Sequence, residues 1–214
     1  MSIMYTEKKF RLVGTSPLLG SSPKNKEVFS EFIATKAKEG EERARAHADV
    51  ENIPELEEGD NGKETIFYRD AETGYPILKA YQILGFLKEA AKGLSDQTKL
   101  KQATSKIDKF VFIVERNLPI YRDGERIEKV DGYLERPLRA ETMQGPRVAL
   151  AKSEVINEGW SVEFTVRVLP NSATKISSAL DMDLVETLLE YGQFKGLLQW
   201  RNGGYGQFEF EEVK

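Results

Sequence analysis

The residues of this sequence best suited to chemistry are arginines in a glycine- and proline-rich setting. Arg136, Arg139, Arg147 and Lys152 fall within 17 residues, interspersed with Pro137, Gly145 and Pro146 and opposed by Glu135 and Glu141. A guanidinium is a planar fork that grips phosphate oxygens in pairs, and glycine lets a backbone approach a ligand closely. Thr142 and Gln144 add neutral donors. The same set also fits a plain loop ordered by internal ion pairs. A second group is Gln199-Trp200-Arg201-Asn202-Gly203-Gly204-Tyr205-Gly206. Its aromatic faces can stack bases at about 1–3 kcal/mol each. The alternative is a tight helix-to-strand connection with Trp200 in the core. No Gly-Lys-Ser/Thr follows, and no strand precedes the glycines, so neither a P-loop nor a dinucleotide fingerprint is present.

Other chemistries lack their residues. There is no cysteine, which excludes disulfides, thiolate metal sites and a cysteine nucleophile and fits a reducing cytoplasm. The one histidine, His47, lies in the polar, helix-like stretch Glu41–His47 and reads as a solvated surface residue. A Ser-His-Asp triad or a histidine zinc site therefore has no support. The pairs Glu57-Glu58, Asp181/Asp183 and Glu211-Glu212 sit in no metal or glycosidase pattern. The expectation is a protein that is not an enzyme, with no cofactor and no metal. A metal-dependent nuclease built on scattered carboxylates is the weakest alternative.

The net charge of -4 is unevenly placed. Residues 39–60 hold nine acids and two bases, a local -7, which leaves +3 for the rest. Global charge therefore says little about a local groove. No run of roughly 18 apolar residues is present, so no membrane span is expected. The first residues, Met1 to Glu7, lack the basic and apolar regions of a secretion signal.

The elements that must position these groups read as follows. A first strand covers Lys8–Leu19 and is stopped by Gly14 and Pro17. A helix is expected over Glu27–Ala48, followed by an acidic loop over 49–63; together they make an acidic helix-loop insertion at about 39–63. A short strand at Thr65–Arg69, a turn at Asp70–Gly74 and an amphipathic helix over Ile77–Gly93 come next. A short helical turn at Thr98–Ser105 leads to a buried strand at Phe110–Val114. Asp123-Gly124 marks a hairpin over Tyr121–Arg126. Residues 131–147 read as a polar, irregular excursion, completing a hairpin and loop insertion at about 115–147. Strands follow over Val148–Ile156 and Trp160–Leu169, then a helix over Met182–Gly196 capped by Asp181 or Asp183, and a last strand over Tyr205–Val213. This order gives an α+β protein: a ferredoxin-like or RRM-like antiparallel sheet with helices on one face, as a single domain over 1–214.

Three patterns resemble the RAMP superfamily, whose members build the backbone of CRISPR effector complexes. The first is Gly14-Thr15-Ser16-Pro17-Leu18-Leu19-Gly20-Ser21 after the opening strand. The second is Asp70-Ala71-Glu72-Thr73-Gly74-Tyr75-Pro76-Ile77 leading to Ile83-Leu84-Gly85-Phe86-Leu87-Lys88. The third is Gly203-Gly204-Tyr205-Gly206-Gln207-Phe208. Gln82, Ile83 and Leu84 replace the small residues and lysine usual before the helix glycine. No catalytic histidine of the RNA-processing branch can be placed. Residues 135–150 also resemble stretches of phage and prophage proteins. The resemblance implies a cytoplasmic, non-catalytic binder of single-stranded nucleic acid, RNA foremost, that assembles as a homo-oligomer. Arg136, Arg139, Gln144, Arg147, Lys152 and Arg201 would serve the backbone, and Trp200 and Tyr205 the bases, beside Gly203, Gly204 and Gly206. The alternative is a phage-encoded inhibitor that docks a host defence protein through the acidic segment.

Overall fold

The computed structural model describes residues 4–24, 64–142, 145–169 and 179–213, with the backbone alone for 138–142 and 145–150. In chain order the strands are β1 (Thr6–Gly14), β2 (Leu18–Leu19), β3 (Ser22–Pro23), β4 (Glu64–Ile66), β5 (Tyr68–Arg69), β6 (Pro76–Lys79), β7 (Val111–Ile113), β8 (Asn117–Pro119), β9 (Tyr121–Arg122), β10 (Glu125–Arg126), β11 (Gly132–Thr142), β12 (Gly145–Ile156), β13 (Trp160–Val168) and β14 (Phe208–Val213). The described α-helices are α1 (Ala80–Gly93), α2 (Ser95–Thr98), α3 (Ala103–Phe110) and α4 (Met182–Glu190). The chain forms two compact units. The first is Met1–Leu18, Leu78–Ile127 and Asn157–Lys214, and the second is Leu19–Ile77 and Glu128–Ile156. The helix expected over Glu27–Ala48, with His47, and the acidic stretch at 39–63 lie outside the described residues.

The first unit is built on an antiparallel sheet in which β1 lies between β13 and β14, and β7 pairs with the far side of β13. With α1 between β1 and β7 in sequence, and α4 between β13 and β14, this is the β-α-β-β-α-β order of the ferredoxin-like fold. The fold class is therefore α+β, as the element order suggests. The β9–β10 hairpin extends the sheet beside β13, and Asp123 and Gly124 turn it with φ of 53° and 83°.

The period-two pattern divides the sheet into two faces. Phe10, Leu12, Trp160, Val162, Phe164, Val166 and Phe208 are buried, and α1 and α4 cover this side with Ile83, Phe86, Leu87, Val185, Leu188 and Leu189. Asp181 caps α4 by accepting from the Leu184 amide at 2.9 Å. Lys8, which Glu186 and Glu212 hold protonated and raised above its ordinary pKa, ties α4 to β14. On the opposite face, Arg11 bonds Glu163 and Glu211, Lys9 pairs with Glu163, and Arg167 pairs with Glu7.

The expected strand over Lys8–Leu19 ends at Gly14, with Leu18–Leu19 a separate short strand, the expected turn over Thr98–Ser105 gives way to α2 and α3, and the last strand starts at Phe208 rather than Tyr205. Two more elements differ from their expected bounds for local reasons. Residues 76–79 form a strand ahead of α1, because Lys79 keeps an extended backbone and its amide is taken by Gln82 Oε1 at 2.8 Å. The C-terminal helix stops at Glu190 and tightens into a 3-10 turn over Tyr191–Gln193. Gly192 lies there so close to the Phe208 ring that a Cβ would overlap it.

In the second unit the sheet runs β11-β12-β4-β3. Here the expected irregular excursion over 131–147 is corrected: Gly132–Thr142 and Gly145–Ile156 pair as one antiparallel ribbon, from Gly132↔Val155 to Thr142↔Gly145. Pro137 is accommodated because β11 is the outer strand of this order, where a missing amide donor breaks no second ladder. Pro146 sits at the start of β12, the other position a strand tolerates. The Asp70–Gly74 turn closes β5 onto β6, with Asp70 Oδ1 accepting from the amides of Glu72 and Thr73 at 3.1 Å each.

Asp181→Ala should lower stability by about 1 kcal/mol in urea unfolding, the usual value of an N-cap. Lys9, then Arg11, lower the pKa of Glu163 from 4.5, so the folded state holds fewer protons there than the unfolded chain. That stability is complete above pH about 4.5 and is lost as pH falls through the lowered folded value. Glu163→Gln should therefore flatten the acid limb of a stability-pH profile; an unchanged acid limb would contradict the pairing.

Candidate nucleic-acid interface

The ribbon gathers four of the expected contact residues and sorts them by parity. Residues paired across a ladder share a face, and neighbours along a strand alternate. Glu135 faces Lys152, Arg136 faces Ala151, Arg139 faces Val148 and Ala140 faces Arg147. Positions 136 and 147 thus belong to one face and positions 139 and 152 to the other. These four positions do not share one face of the ribbon; the register divides them between its two faces. β4 meets β12 only at Lys152 and Ser153, toward the base of the ribbon. Gln144 lies outside the described residues.

At that base the side chains are tightly specified. Lys152 lies 4.3 Å from the centroid of the Tyr133 ring and 3.9 Å from the carboxylate of Glu64. Glu64 is buried and also pairs with Lys24 at 3.1 Å. Glu154, next but one to Lys152, is buried; it accepts from the Phe67 amide at 2.8 Å and pairs with Arg69. The sequence gives no sign of this pair, because Glu154 and Arg69 are 85 residues apart. Arg136 is half-buried and Glu135 exposed.

The glycine turn belongs to the first unit and has a structural task. Gly206 has φ of 73°, and a Cβ there would stand 2.3 Å from the Leu197 carbonyl oxygen. Its amide donates to Pro17 O at 2.8 Å, the Thr15 amide donates to Gln207 O at 2.9 Å, and the Gln207 amide donates to Ser16 Oγ at 2.8 Å. The Trp160 indole donates to Ser16 O at 2.9 Å, and Gly14 lies flat against that ring. The first and third sequence patterns are thus two sides of one junction, at the ends of β1 and β14.

Trp200 is outside the core, at 43% exposure, and stacks on Tyr205 with ring centroids 5.0 Å apart and planes 14° apart. Arg201 pairs with Glu89 of α1, and Lys195 stands 3.7 Å from the same carboxylate. With Leu198, Gln199 and Asn202 these residues line an open cleft of about 350 Å³. Leu198 and Trp200 both adopt left-handed backbone, φ of 62° and 51°, which non-glycine residues seldom do. Among the described residues no three His, Asp or Glu side chains converge as a metal site needs, and no helix is long and apolar enough to cross a membrane.

No family model and no curated protein matches the chain. Among solved structures, a chain of the type III-B Cmr-beta complex bound to cognate target RNA is similar, at 10% identity and a TM-score of 0.48. The match covers 98% of this chain and 61% of that one, so this chain spans about three-fifths of its neighbour's length.

The Trp200–Tyr205 stack is open to measurement, because Trp160 is fully buried and Trp200 is not. Tyr205→Ala should increase quenching of tryptophan fluorescence by acrylamide and shift emission to the red. Unchanged quenching would show that Tyr205 does not shield the indole.

Proposed function

We propose that this protein is a RAMP-like binder of single-stranded nucleic acid, RNA foremost, that acts by binding and uses the β11–β12 ribbon as its arm. The observation that carries this reading is the ladder itself, which sets Arg136 and Arg147 on one face and Arg139 and Lys152 on the other. On each face the two cationic positions stand four ladder pairs apart along the ribbon. Guanidinium forks suit the phosphates of nucleic acid, whatever the strand's sequence. The ferredoxin-like sheet of the first unit and the three RAMP patterns agree with such a role. A phage or prophage setting and side-by-side assembly belong to the same proposal, from the likeness of residues 135–150 and of the family. The alternative of a defence inhibitor depends on residues 39–60, which lie outside the described residues.

Binding of labelled oligouridine should weaken as salt rises, with each phosphate contact contributing about 0.7 to the log-log slope. The triple variant Arg136→Ala, Arg139→Ala, Arg147→Ala should reduce that slope by about 2. No retention of oligouridine by the wild-type protein at low salt would overturn the reading.

A further inference from the structure

The open face of the ferredoxin-like sheet is the surface on which an RRM-type domain stacks bases, using aromatic side chains on its central strands. Here the corresponding central positions are Arg11, Glu163 and Thr165, and they are already engaged. Arg11 is held by Glu163 and Glu211, Lys9 by Glu163, Arg167 by Glu7, and Thr165 by Glu115 through its amide and hydroxyl, each at 2.7 Å. The carboxylates Glu7, Glu163, Glu209 and Glu211 outnumber the cations Lys9, Arg11 and Arg167 on this face. A phosphate arriving there would meet a net negative surface whose cations are neutralised.

On the other side of the same unit one segment is basic. From Lys92 to Lys109 the sequence carries five lysines against Asp96 and Asp108, a net +3 in a chain of net -4. Asp108 is itself paired with Lys88 of α1. Leu100 and Ile107 are buried and anchor the segment, while Lys99, Lys101 and Lys109 around them are exposed. Lys99 and Gln102 both hold left-handed backbone, φ of 52° and 55°, so the chain turns sharply on either side of Leu100 and directs this lysine-rich run outward. Strained non-glycine residues of this kind concentrate at ligand-holding segments.

We infer that the exposed Lys99–Lys109 ridge of α2–α3, and not the open sheet face, is the surface by which the first unit holds the phosphates of single-stranded nucleic acid. This rests on the nucleic-acid reading above and adds a second contact surface to it. Lysines suit the task as point charges that follow an irregular backbone without reading its sequence.

The test compares four proteins for oligouridine binding between about 50 and 200 mM salt. They are the wild type, Lys99→Gln/Lys101→Gln/Lys109→Gln, the sheet-face variant Lys9→Gln, and the ribbon triple variant. The ridge variant should lose about 2 from the salt slope and bind at least about tenfold more weakly at the lower salt, while Lys9→Gln should match the wild type. A ridge variant with the wild-type slope, or a Lys9→Gln variant that loses as much as the ridge variant, overturns the inference while the ribbon reading stands. Wild-type protein that does not bind overturns the function reading itself. Polyglutamate competing as well as oligouridine for the ridge would reassign it to acidic protein and overturn the inference. The ridge and Lys9→Gln variants should share the wild-type urea midpoint, since Lys9, Lys99, Lys101 and Lys109 are exposed.

Discussion

Strand β1 is paired on both of its edges, with β13 on one side and β14 on the other, and nearly everything in the first unit follows from that. A strand bonded on two sides cannot shift register by one residue without exchanging its faces. Phe10 and Leu12 are therefore fixed inward, with Phe10 against Phe164 and Phe210 at centroid distances of 6.4 and 5.7 Å. Glu7, Lys9 and Arg11 are fixed outward by the same constraint, at ladder positions opposite Arg167, Thr165 and Glu163. The junction of Gly14–Pro17 with Gly206 and Gln207 locks the end of the central strand, leaving room only for backbone and the Trp160 ring.

That arrangement has a functional cost and a functional consequence. Charges fixed side by side on an open sheet pair with one another, and on the proposed reading this makes the sheet face a poor phosphate platform. Exposed pairs of this sort add little stability each, about 0–1 kcal/mol, so their effect here is on what the face can bind. On the proposed function, phosphates meet the β11–β12 ribbon of the second unit and the lysine ridge of the first, a mode of contact that is tolerant of sequence.

The ferredoxin-like order was legible in the sequence because its strands alternate cleanly: Val162, Phe164, Val166 and Val168 against Glu163, Thr165 and Arg167 need no partner to be read. Asp123-Gly124 was legible as local chemistry, and so was a cap on the last helix, although only the structure decides for Asp181 over Asp183. The ribbon was not. Its strand β11 alternates Leu134, Arg136, Leu138 with Tyr133, Glu135, Pro137, and proline and arginine within a strand read as a loop until an outer position is known. For Trp200 the sequence left both a base-stacking and a core position open, and its stacking on Tyr205 five residues away depends on the left-handed turn between them. The lysines of 92–109 drew no reading from the sequence, because their proposed meaning depends on the ion pairs of the sheet face, and those join residues some 150–200 positions apart.

The most direct test is lysine-reactive footprinting of the intact protein with and without bound oligouridine, read by mass spectrometry. Protection of Lys99, Lys101, Lys109 and Lys152, with Lys9 labelled equally in both states, is the predicted result. Protection of Lys9 on the sheet face, with the ridge and ribbon lysines unchanged, would contradict it.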